Sequence, residues 1–130
     1  MKLILFFILI SSVAMAQNPV LIVRVNGFEN DKGKLMLEVL NAQKKAVKQL
    51  MLPIKNKQVA VEIADLSAGQ YSVRVFHDAN GNQKLDTNLV GIPKEAWGMS
   101  NNVRAVLGPP DFKESLFWLK ADKTIEIVVK

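Results

Sequence analysis

Cysteine is absent from the 130 residues. That excludes disulfides, thiolate metal sites, a cysteine nucleophile and a lipidated cysteine anchor. Histidine occurs once, at His77. A zinc site built on imidazole and thiolate therefore lacks donors. Cations outnumber anions, 17 Lys and Arg to 12 Asp and Glu, for a net charge of +5. They are scattered, however, with no run of four, and they are not interleaved with stacking aromatics. This argues against a nucleic-acid partner and for a solvated basic surface. No G-x-S-x-G elbow is present, and strands do not alternate with helices as in a hydrolase of that type.

Long apolar runs are also missing, with one exception. Leu3–Ile10 follows Lys2 and leads into small residues ending Ala14-Met15-Ala16. That order is the pattern of a secretory signal peptide, with cleavage expected after Ala16. As a helix, Leu3–Ala16 would reach about 21 Å, short of the roughly 30 Å hydrocarbon core. The expectation is a leader at 1–16, a single domain at 17–130 and no membrane span after cleavage. Without Lys2 the net charge is +4. An exported, cysteine-free chain fits the bacterial periplasm or exterior.

What remains has a period of two. Val20–Val25, Leu35–Leu40, Gln58–Ile63, Gln70–His77 and Thr124–Val129 are short β-branched runs separated by Gly, Asn, Asp and Pro. The stretch from Val47 to Ile54 is mixed. Such runs predict antiparallel strands. Six or seven of them predict an all-β, antiparallel Greek-key β-sandwich. Residues 78–102 read as one long polar loop, a length that tends to be functional. Asp111 is placed to cap a single helical turn through Phe112 and Glu114. Leu116–Leu119 then returns to the core as a short strand, with Phe117 and Trp118 on opposite faces.

The sharpest local signal is Asp78-Ala79-Asn80-Gly81-Asn82-Gln83-Lys84-Leu85-Asp86. Side-chain oxygens fall at the first, third, fifth and ninth places. A loop curling around an ion presents alternate side chains inward, and calcium takes six to eight oxygens. Asp78, Asn80, Asn82 and Asp86 are the expected ligands, with the Lys84 carbonyl at the seventh place and Glu95 folding back. Position six is Gln83 rather than the glycine of an EF-hand, and the twelfth place is Leu89 rather than Glu. The expected affinity is weak, on the order of 10⁻⁴–10⁻³ M as in extracellular modules. The competing reading is a plain turn: Asn80-Gly81 between apolar runs is a strong hairpin signal by itself.

His77 shares its parity with Val73 and Val75, so it belongs at the inner end of a strand. A hydrolase could in principle pair it with Ser67, Ser72, Ser100 or Ser115. Trp97, Phe112, Phe117 and Trp118 cluster late in the chain, either as core or as a ligand platform.

Several of these segments are familiar together. Ala68–Asp78 with Asn80, Asn82 and Asp86, then Gly91-Ile92-Pro93-Lys94-Glu95 and Trp97-Gly98-Met99-Ser100-Asn101-Asn102, resembles an uncharacterised bacterial family of small exported proteins, a domain of unknown function. L-x-x-G-x-Y-x-V entering D-x-N-x-N is similar, more distantly, to prealbumin-like sandwiches: carboxypeptidase regulatory-like domains and the B-type repeats of bacterial adhesins. The resemblance implies a prealbumin-like or Ig-like fold. It also implies calcium at Asp78, Asn80, Asn82 and Asp86, and it implies no catalysis. The function expected is a non-enzymatic binding or envelope-structural module with a calcium-ordered loop at 78–95. Its partner would be an envelope protein, a glycan or a small ligand. The alternatives are a small-ligand or glycan binder using the 95–118 aromatic surface, and a His77-based hydrolase.

Overall fold

The computed structural model describes residues 8, 10–12, 15 and 17–130. The expected leader at 1–16 lies largely outside them. Eight strands follow: β1 (Leu21–Asn26), β2 (Lys34–Asn41), β3 (Ala46–Pro53), β4 (Gln58–Ile63), β5 (Gly69–Asp78), β6 (Trp97–Met99), β7 (Phe117–Leu119) and β8 (Lys123–Val128). Two 3₁₀ turns, Ser100–Asn102 and Phe112–Ser115, lie between β6 and β7. No α-helix occurs among the described residues, and no helix there is long and apolar enough to cross a membrane.

The strands form two sheets. One has the order β4-β1-β8; the other runs β3-β2-β5-β6, with β7 also on β5. Alternation explains the layering. Leu21, Val23 and Val25 of β1 face Leu35, Leu37 and Val39 of β2 and Tyr71, Val73 and Val75 of β5 in one apolar core. Burying such side chains contributes about 1.5–3 kcal/mol each. Tyr71 keeps its hydroxyl satisfied by donating to the Ser67 carbonyl at 2.6 Å.

Three expectations need correction. The sheets are not wholly antiparallel: β1 pairs β8 in parallel, Leu21 opposite Lys123. Alternation is the same in either direction, so the period carries no such information. The mixed 47–54 stretch is a full strand, β3. It lies at a sheet edge, where Val47 and Met51 stay about half exposed and blur the pattern. The polar loop ends at Ala96 rather than 102, because Trp97-Gly98-Met99 pairs with Phe76-Val75-Arg74. Gly98 makes this approach feasible: a methyl there would sit 2.6 Å from Ile127 Cγ2. Three residues with a central glycine carry little strand signal.

Other expectations hold. Asp111 caps its turn, Oδ1 accepting the Lys113 N–H at 3.0 Å. Phe117 is buried, and Trp118 is exposed on the opposite face.

β6 and β7 share one edge of β5, against residues 74–76 and 69–71. The gap between them is filled by a side chain: Ser100 Oγ accepts the Val73 N–H at 3.0 Å and donates to the Ser115 carbonyl at 2.6 Å. Asn102 does the same for β8. Its Oδ1 accepts the Val128 N–H at 2.9 Å and its Nδ2 donates to the Glu126 carbonyl at 3.3 Å. β6 in turn exchanges two backbone bonds between Trp97 and Lys130, each 3.1 Å, which link the sheets at this edge.

Candidate metal centre

The loop 79–96 leaves β5 at Asp78, whose side chain is buried beneath it, 2% exposed. The entry is fixed from below. His77, also buried, has Nε2 2.6 Å from the Lys32 carbonyl and its ring edge-on to Phe28 at 5.3 Å. Gly33 lies so close to the Asp78 carbonyl and Ala79 that any Cβ would overlap them, and its φ is +65°. Gly33 is a site-supporting residue that the sequence presents only as part of a turn; its contact lies across strands and leaves no local pattern.

Each expected ligand can be followed from there. Asp78 Oδ2 accepts the Gln83 N–H at 2.8 Å and closes the loop on itself. Asn80 Oδ1 accepts the Asn82 N–H at 3.2 Å, and Asn82 Oδ1 accepts the Lys84 N–H at 2.9 Å. Both amides donate to Asp86: Asn80 Nδ2 to Oδ2 at 2.6 Å, Asn82 Nδ2 to Oδ1 at 2.7 Å. Lys84 joins the network through its N–H rather than its carbonyl. Glu95 does fold back, Oε2 accepting the Ala79 N–H at 3.3 Å.

The electrostatics follow from this crowding. Glu95 and Asp86 are within hydrogen-bonding reach of each other. Burial raises the Glu95 carboxyl above the usual carboxylate range, helped by its hydrogen bond to Asp86 and by the charges of Asp86 and Asp78. That bond from Glu95, followed by those from Asn82 and Asn80, holds Asp86 below its ordinary value. The two carboxyls are thus pushed apart, Glu95 upwards and Asp86 downwards.

Two atoms stand out. Asp78 Oδ1 and Glu95 Oε1 are buried with no hydrogen-bond partner. Buried carboxylate oxygens normally have partners, and leaving them bare is costly. The donor set is all oxygen, which fits a hard cation. At the same time, among the described residues, no three His, Cys, Asp or Glu side chains stand grouped around one point as metal ligands. Glu95 is flanked by Asp78 and Asp86, and the two amides present nitrogen to Asp86 instead of oxygen. Taking up an ion at the full set requires both amides to rotate.

Among the described residues, His77 has no serine partner. Ser72, Ser100 and Ser115 bond to one another and to backbone groups, and Ser67 to Tyr71.

A family model described as "Uncharacterized protein conserved in bacteria (DUF2141)" matches residues 23–127. The chain belongs to this DUF2141 family. The match runs from β1 through β8 and takes in the whole 78–95 loop. No curated protein and no solved structure matches the chain.

Proposed function

We propose that this DUF2141 protein is an exported, non-enzymatic β-module whose 78–95 loop is held by calcium, and that it acts in binding or in envelope structure. The leader pattern of Met1–Ala16 supports export to the periplasm or beyond. The observation that carries the calcium reading is the pair of bare, buried oxygens on Asp78 and Glu95. A divalent ion would satisfy both and favour the ionised form of Glu95. The ligands are Asp78, Asp86 and Glu95, with Asn80 and Asn82 after rotation and the Lys84 carbonyl. Calcium at ten times its dissociation constant would stabilise the fold by about 1.4 kcal/mol. The sheet order β4-β1-β8 with β3-β2-β5-β6 supports reading the fold as a prealbumin-like Greek-key sandwich.

The test is thermal melting of the purified protein in millimolar calcium and in chelator. Calcium raises the melting temperature, and Asp78→Ala abolishes the rise. An unmoved melting temperature at 10 mM calcium, about tenfold above the weakest affinity expected, ends the reading.

A second reading is favoured by one observation. Trp97 and Phe112, from the 95–118 aromatic surface, line a single cavity of about 1660 Å³, which supports a small-ligand binder. Trp118 lies outside this cavity, exposed beneath the Lys120 ammonium.

A further inference from the structure

The outer face of the larger sheet holds an apolar row where a solvent-facing sheet would carry polar side chains. The register places Met51, Met36, Phe76 and Trp97 side by side across β3, β2, β5 and β6. Three inter-strand steps make this row about 14 Å long. Its neighbouring row, about 7 Å along the strands, is polar at its centre: Gln49, Glu38, Arg74 and then Met99. Both rows floor the 1660 Å³ cavity, and the loops at 83–93 and 104–112 wall it. The charged side chains lining the cavity are Lys44, Arg74, Arg104 and Glu38, three cations against one anion. Arg104 and Lys44 are stacked over Trp97 and Phe112, at 4.0 and 5.3 Å. Arg74 spends only Nε on Glu38. Neither of its Nη groups has a protein partner among the described residues, and its side chain is 57% exposed.

An apolar trough beside a half-used guanidinium selects a ligand with two parts. We infer that this cavity binds a single-chain anionic amphiphile, its tail along Met51, Met36, Phe76 and Trp97 and its carboxylate on Arg74. Methionines in the floor adapt to a flexible chain, and the guanidinium fork matches a carboxylate. This deepens the small-ligand reading and does not depend on the calcium site.

The test uses the emission of Trp97, made the only indole by Trp118→Phe in the purified protein. The probes are dodecanoate, dodecyl maltoside with the same tail and no charge, and butyrate with the same head and almost no tail. Dodecanoate gives a saturable change below its micellar concentration, and the other two bind at least about tenfold more weakly. Arg74→Gln weakens dodecanoate about tenfold. Met51→Glu, at an edge-strand side chain 48% exposed, abolishes binding with the melting temperature unchanged. If Met51→Glu does not fold, Arg74→Gln alone decides. Titrations in chelator and in calcium separate the two sites: saturable binding in either supports the inference, whatever the calcium melt shows. A flat dodecanoate titration overturns it. So do equal affinity for the maltoside, response only to intact anionic vesicles, or a dimer that occupies the face and is broken by Met51→Glu.

Discussion

Glu95 and Asp86 set how the loop responds to pH. The raised Glu95 carboxyl contributes stability below its unfolded value, about 4.3, and loses it as pH rises through the raised folded value. Asp86 runs the other way. Its contribution is present above about 3.9 and disappears as pH falls through its lowered folded value. Without calcium, then, raising the pH through the Glu95 transition destabilises the loop. An ion takes the place of the lost proton, so the calcium-induced rise in melting temperature should be larger at pH 7 than at pH 4.5. Glu95→Gln keeps a neutral partner for Asp86; it should remove the alkaline-side loss in chelator and blunt the calcium response. Melting curves across pH, with and without chelator, measure both. Ser100 offers a simpler case. Ser100→Ala strips the Val73 N–H of its acceptor in a buried position and should cost about 1–3 kcal/mol, read from denaturant midpoints.

Among the elements, those with a full apolar face were legible from their residues. β4 runs from Gln58 to Ile63 just as its alternation indicates, and β5 extends its run by one residue at either end. β6 was not legible, since its pairing depends on what Gly98 lacks rather than on what it presents. Gly98→Ala tests this: the new methyl meets Ile127, itself fully buried, and should destabilise by about 1–3 kcal/mol in chemical denaturation. The loop was half legible. Spacing and resemblance singled out Asn80, Asn82 and Asp86, which bond one another, and Asp78 and Glu95, which hold the Gln83 and Ala79 N–H groups of the same loop. Neither could show the amides turned nitrogen-first towards Asp86, because that orientation depends on the Asp86 charge and on the loop N–H groups competing for the amide oxygens. Nor could alternation alone reveal the Met36 and Phe76 trough, which requires knowing which strands lie side by side.

Across the whole molecule, protection should follow the layers. Amide exchange is expected to be slowest in β1, β2 and β5, each flanked by strands on both sides, and fastest in the 83–93 and 104–111 loops. Under the calcium reading, adding the ion slows exchange at Ala79 and Gln83, whose N–H groups bond Glu95 and Asp78. Hydrogen exchange followed by mass spectrometry checks both expectations.

The parallel partnership of β1 and β8 bears on how the polypeptide matures. Asp122 Oδ1 accepts the Val20 N–H across a separation of 102 positions, at the point where these two strands begin to pair. The smaller sheet therefore lacks its third strand until β8 has joined β1. Such long-range closure is slow. The smaller sheet of this design is therefore completed late.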